Sequence, residues 1–249
     1  MQLRTRTVAV LLLLLLLVPV LCFGKIKKRK VTIDRNQVFA GARLGIAAPL
    51  AMGRADDEVS FRDVAAYAFT ASADGMWMYT PSLGLGAEVG YTNYPYKKSY
   101  WSSLNQRGTF DAAYKDIYAG LTGRVLMGPN DVKPYIGLGF GAHCLRNALN
   151  FVSTYAGTGA DESVSYTSNK FIMGFAFAGG VLCKIAPKVQ ISTTIRLNVI
   201  PFLKEEEKTI TDPYTFETKR IMMNPHGNQN NLTVCVGVHF GVNSPKVKR

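Results

Sequence analysis

The sequence predicts an all-β chain, an eight-stranded antiparallel transmembrane β-barrel, and three observations carry that prediction. Eight segments alternate apolar residues with small or polar ones at a period of two, which is how a β-strand divides its side chains between two faces. Beyond residue 21 there is no run of about 18 apolar residues that could cross a bilayer as a helix. The connections between the segments alternate short and long, as in barrels with tight turns at one end and long loops at the other.

At the N-terminus, Arg4 and Arg6 precede an unbroken apolar run over residues 8–21, which closes in Cys22-Phe23-Gly24, a small-x-small pattern suited to a signal peptidase. A run of about 14 residues falls short of the roughly 20 that a spanning helix needs, so residues 1–24 read as a cleavable signal peptide rather than an anchor. Lipid attachment at Cys22 fits less well, because Leu21 stands before it where a lipobox carries Gly, Ala or Ser. The remaining chain divides into a basic segment (25–34), the barrel (35–243) and a basic tail (244–249).

The formal net charge is +12, and most of the excess lies at the ends. Lys25, Lys27, Lys28, Arg29 and Lys30 open the mature chain, and Lys246, Lys248 and Arg249 close it. Residues 31–245 hold 19 basic and 17 acidic side chains, a net of +2, so no nucleic-acid-binding face is expected. Basic tails suit an anionic leaflet. Cys144, Cys183 and Cys235 include no CxxC, and their odd number excludes a fully paired disulfide framework; they read as small apolar fillers. Neither a metal nor a cofactor is expected.

Each strand takes its orientation from its apolar face. The first points Val38, Ala40, Ala42, Leu44 and Ile46 outward against Phe39, Gly41, Arg43 and Gly45; the second points Tyr67, Phe69, Ala71, Ala73, Trp77 and Tyr79 outward against Thr70, Ser72 and Asp74. The third sets Leu83, Leu85, Ala87, Val89 and Tyr91 against Gly84, Gly86, Glu88, Gly90 and Thr92, and the fourth sets Ile117, Ala119, Leu121 and Val125 against Asp116, Tyr118, Gly120, Thr122 and Arg124. Ile136, Leu138, Phe140 and Ala142 face outward on the fifth, and Phe171, Met173, Phe175, Phe177 and Val181 on the sixth. The seventh turns Val189, Ile191, Ile195, Leu197 and Val199 outward, and the last Leu232, Val234, Val236, Val238, Phe240 and Val242. A soluble sheet would put Lys and Glu on its wet face. Here the non-apolar face is mostly Gly, Ser and Thr with a few charges of both signs, which suits the crowded interior of a narrow barrel.

Thr80-Pro81-Ser82, residues 128–133 and Ala186-Pro187-Lys188 read as tight turns, expected to be periplasmic, while residues 49–62, 93–109, 147–169 and 201–230 read as long polar loops outside. Both termini then fall on the periplasmic side. Trp77 and Tyr79 sit at the turn-side rim, and Tyr91, Tyr94, Tyr96, Tyr100 and Trp101 at or beyond the opposite one.

The glycine-punctuated strands Leu83-Gly84-Leu85-Gly86-Ala87-Glu88-Val89-Gly90-Tyr91, Pro134-Tyr135-Ile136-Gly137-Leu138-Gly139-Phe140-Gly141 and Val234-Cys235-Val236-Gly237-Val238-His239-Phe240-Gly241-Val242 carry a resemblance. Over about residues 35–243 the chain resembles the outer-membrane β-barrel domain proteins common in Bacteroidetes, similar in form to the transmembrane domains of OmpA and OmpX and to the PorT-like proteins of type IX secretion. It departs from the frequent aromatic C-terminus of such chains by continuing through Asn243-Ser244-Pro245 into the basic tail. The resemblance implies a non-enzymatic barrel in the outer-membrane lipid, acting as an anchor or accessory subunit of an envelope complex with other envelope proteins as partners, in a setting related to secretion.

By parity Arg43, Asp74, Glu88, Asp116, Arg124 and Arg196 all point inward, and three cations with three anions in a narrow lumen are expected to pair as a structural plug. The same groups would line a narrow conduit for protons, ions or small solutes, the alternative reading. An enzyme is not expected: His143 and His239 face inward, His226 lies in the last loop, and neither a Gly-x-Ser-x-Gly elbow nor a Ser/His/Asp spacing stands out. Tyr94, Tyr96, Tyr100 and Trp101, with Lys97 and Lys98 among them, are candidate loop contacts for a surface adhesin. Residues 204–220 are expected to extend the last two strands as a hairpin above the membrane.

Overall fold

The computed structural model describes residues 37–50, 60–97, 99, 109–128, 131–153, 162–186, 188–201, 206–211, 218–224 and 229–242. In chain order the elements are β1 (Val38–Pro49), α1 (Phe61–Val64), β2 (Ala68–Met78), β3 (Leu83–Pro95), β4 (Thr109–Leu126), β5 (Val132–Ser153), β6 (Glu162–Ala186), β7 (Val189–Val199), β8 (Glu206–Thr211), β9 (Thr218–Asn224) and β10 (Asn231–Val242). Eight strands close into an all-antiparallel barrel in the order β1-β10-β7-β6-β5-β4-β3-β2. All eight predicted segments are barrel strands. The expected signal peptide (1–24) and the two basic segments (25–34 and 244–249) lie outside the described residues.

Alternation decides which face each residue takes, and burial follows the predicted parity along the barrel strands except at Cys183 of β6 and Thr193 of β7, which are buried at outward positions. On β3, for instance, Leu85, Ala87, Val89 and Tyr91 are exposed while Gly84, Glu88 and Thr92 are buried. The wall carries an apolar belt: Leu121 is 71% exposed, Leu138 63% and Phe171 73%. From Ile117 to Met127, both exposed, a strand rises about 34 Å, or about 26 Å once tilted, close to the roughly 25 Å apolar band of membrane barrels.

The predicted loop 147–169 is a correction. β5 runs to Ser153 and β6 begins at Glu162, paired from Val132↔Cys183 to Ser153↔Glu162, so most of this loop is strand. The pairing continues above the apolar belt, because backbone hydrogen bonding needs no apolar face. The tight turns fall as expected. Leu83 donates its backbone N–H to the Thr80 side-chain oxygen at 2.9 Å, and Gly128 takes a φ of +85°, a conformation that glycine adopts without Cβ strain. β8 and β9 do pair antiparallel, but as a separate two-stranded sheet rather than an extension of the barrel strands.

A short helix, α1, begins at the end of the predicted loop 49–62 and runs past it to Val64, an element the loop reading does not contain. The signal was present in Ser60-Phe61-Arg62-Asp63, a capping-box spacing: the Asp63 carboxylate accepts from the Ser60 backbone N–H at 3.0 Å and from its hydroxyl at 2.6 Å. Ala65 then bridges to Tyr96, which ties this segment to the end of β3.

Candidate functional site

Inside the barrel the side chains form three levels. At the turn end Phe39, Met76, Met78, Leu126, Tyr135 and Leu182 make an apolar plug. Above it lies the charged level. Arg43 Nη2 stands 2.6 Å from Glu88 Oε2, and its Nε 3.6 Å from Asp74 Oδ1. Arg124 Nη2 donates to Asp74 Oδ2 at 2.8 Å. Glu88 Oε1 accepts from both Tyr118 and Arg196. The Arg124 and Arg196 guanidiniums also lie over the rings of Tyr135 and Tyr118, at 5.4 and 4.8 Å to the centroids. At the loop end, His143 Nδ1 stands 3.0 Å from Asp116 Oδ2 with its ring stacked on Tyr118.

Glycines make room for this level. A Cβ on Gly90 would enter the Tyr118 ring, one on Gly237 the Arg43 side chain, and one on Gly180 the Tyr135 ring. Small residues opposite large ones fill a narrow barrel. On the β4–β6 side, where Gly120, Thr122, Gly139, Gly141, Gly174 and Ala176 face Glu88, Tyr118, His143 and Arg196, a void of about 10 Å³ remains, room for one water.

The mouth is closed by aromatic rings. Phe61 of α1 packs edge-on against Tyr94 at 5.1 Å and against Tyr114 at 5.4 Å, while Tyr96 stacks on Tyr114 at 4.6 Å. The capping box therefore has a tertiary role: it turns the chain so that Phe61, 1% exposed, points into the barrel.

Arg43, Asp74, Glu88, Arg124 and Arg196 come together in one network. Asp116 does not join it; β4 carries it toward the loop end, where His143 pairs with it instead. Tyr94 and Tyr96 are not exposed loop contacts, being 1% and 8% exposed within the cap, because β3 extends to Pro95 and turns them inward. Tyr100 and Trp101 lie outside the described residues.

One arrangement that spacing did not suggest is assembled across three strands. The Ser192 hydroxyl stands 2.8 Å from His239 Nε2, and His239 Nδ1 stands 3.5 Å from Asp74 Oδ1. With Ser192 donating, the proton on Nδ1 faces the carboxylate. The order is that of a Ser-His-Asp triad, but Ser192 and His239 are 1% and 3% exposed, and Asp74 is held by two arginines. Ser192 lines neither of the two small voids inside the barrel nor the groove on the outer wall. The bonds satisfy the Ser192 hydroxyl and the His239 ring within a buried polar level.

No protein family and no curated protein matches the chain. Solved outer-membrane barrels do resemble it. The outer membrane protein OprG of Pseudomonas aeruginosa matches with a TM-score of 0.50 at 12% identity, over 84% of this chain and 98% of that one. Neisserial surface protein A matches with a TM-score of 0.46 at 16% identity, over 82% and 97%. The attachment invasion locus protein Ail of Yersinia pestis matches with a TM-score of 0.41 at 12% identity, over 83% and 100%. At 12% identity the likeness to OprG speaks to the fold alone.

Proposed function

We propose that this chain is a non-enzymatic outer-membrane barrel, with both termini in the periplasm, that serves as an anchor or accessory subunit of an envelope protein complex. The closed interior carries the reading: an aromatic cap, a paired charged level and an apolar plug follow one another along the axis. A blocked lumen leaves the outer wall and the loop end for function. There β4, β5 and β6 rise above the apolar belt, since β6 pairs with β5 from Glu162 but with β7 only from Phe175. The resemblance of the glycine-punctuated strands to PorT-like proteins supports a secretion-related setting.

The test is heat-modifiable migration of the protein in an outer-membrane fraction, followed by purification in detergent. Partners at stoichiometric ratio support the anchor. A protein found soluble in the periplasm, or a barrel that purifies alone under gentle extraction, refutes it.

The second reading is a narrow channel, favoured by the continuous polar level. It requires the cap and the plug to move, and planar-bilayer conductance that responds to Glu88→Ala or Arg124→Ala would support it. A surface adhesin is the third; it requires host-surface binding that disappears when residues 93–109 or 201–230 are trimmed while the barrel stays folded.

A further inference from the structure

On the outer wall Lys115 of β4 and Arg146 of β5 are direct cross-strand partners. Both point away from the lumen by parity, and Arg146 is exposed. Like charges directly opposite one another destabilise a sheet. Within the lumen the chain answers its own like-charge pair, Asp74 and Glu88, with three arginines. Outside it supplies no answer: the row partners on either side are Asn93 and Asn169, and among the described residues no carboxylate pairs with Lys115 or Arg146.

The position of the pair matters as much as its charge. The next row toward the turn end is Tyr91, Ile117, Cys144 and Phe171, the top of the apolar belt. Below that lie Val89, Ala119, Ala142 and Met173, where two alanines make a shallow floor between larger neighbours. Leu121 and Phe140 form the next row, and with Leu85, Leu138, Phe175 and Phe177 they bound an apolar groove of about 520 Å³ with Gly123 at its base. A Cβ on Gly123 would meet only Leu85, at 3.7 Å.

From this geometry we infer a site for an anionic membrane lipid, with its phosphate between Lys115 and Arg146 and one acyl chain over Ala119 and Ala142 into the Gly123 groove. The occupant needs a negative head directly above a hydrocarbon chain. Zwitterionic lipid has the chain but no net charge, and free phosphate has the charge but nothing for the groove. The inference rests on the membrane reading above and adds a lipid class and a location to it.

The full chain is refolded into vesicles of phosphatidylcholine alone or mixed with phosphatidylglycerol, and the urea midpoint of the heat-modifiable form is read. Phosphatidylglycerol raises the midpoint of the native sequence. Lys115→Gln with Arg146→Gln removes at least half of that rise, while the midpoint in phosphatidylcholine is unchanged or higher, because a repulsion has gone. Lys188→Gln, which removes an exposed charge at the turn end, keeps the full rise. Gly123→Leu fills the groove and reduces the rise while the barrel still folds. In native mass spectrometry a phosphatidylglycerol adduct persists on the native sequence and falls about tenfold on the double variant. A rise unchanged in the double variant, or one reproduced by inorganic phosphate without anionic lipid, overturns the lipid site and leaves the barrel reading intact. A chain that folds in neither vesicle overturns both.

Discussion

Asp74 on β2 and Glu88 on β3 are direct cross-strand partners, two carboxylates side by side on the inward face of one ladder. Three guanidiniums converge on them: Arg43 reaches both, Arg124 takes Asp74 and Arg196 takes Glu88. None of the three comes from β2 or β3, so this level cross-links β1, β4 and β7 through the centre of the barrel. Inward charges thereby become a brace between opposite walls.

Removing one member leaves buried charge uncompensated. Glu88→Ala strips the acceptor from Arg43, Arg196 and Tyr118 together and is expected to cost about 3–5 kcal/mol in urea unfolding from vesicles. The Glu88→Ala/Arg196→Ala double variant should lose less than the sum of its singles, with a coupling of at least about 1 kcal/mol. Additive losses would show that the pair is not a unit.

Inward and outward glycines should respond in opposite ways to the same substitution. Gly90→Leu drives a side chain into the Tyr118 ring and is expected to cost about 1–3 kcal/mol or to block folding. Gly75→Leu, at a position with nothing within 4 Å, should fold at native yield. Gel-shift yield after refolding compares the two, and equal defects would mean that the inward faces have been misassigned.

The solvent of the belt can be read from the sign of one substitution. Leu121→Arg at a 71% exposed position would be harmless in water, but near the bilayer midplane it should cost about 2–4 kcal/mol. The measurement is unfolding from vesicles; a neutral result would place the belt in water.

Ser192 has the partners of a nucleophile without the access. A fluorophosphonate probe is expected to leave the folded barrel unlabelled, and Ser192→Ala to lower stability by about 1 kcal/mol through loss of its bond to His239. Labelling that disappears in Ser192→Ala would instead reveal an opened, reactive triad.

The Phe61 cap should be separable from the brace. Phe61→Ala is expected to destabilise by about 3–5 kcal/mol if the ring is as well packed as a core side chain, while planar-bilayer current stays at background because the charged level and the plug remain. Conductance appearing in Phe61→Ala alone would make the cap the gate and favour the channel.

How much of this was legible before folding depends on the range of the cause. The barrel, its strand count and the facing of each residue follow from a period of two, which each strand carries within itself; Arg43, Asp74, Glu88 and Arg124 are buried where alternation puts them. The upper ends of β5 and β6 carry no visible alternation: the apolar residues Ala148, Leu149, Phe151 and Val152 of β5 do not recur at a period of two, and the start of β6 is mostly polar. The cap was missed because its members come from α1, β3 and β4, although the capping box of Ser60 and Asp63 was readable.

Taken alone, then, the sequence determined the architecture and the inward set, since side-chain direction in a strand is a local property of the backbone. Only the tertiary structure decided the partners. It gave Asp116 to His143 and Ser192 to His239, turned Tyr94 and Tyr96 into a lid, and set Lys115 against Arg146. Those choices depend on strand register and on how far each strand climbs the barrel, and register is settled between strands.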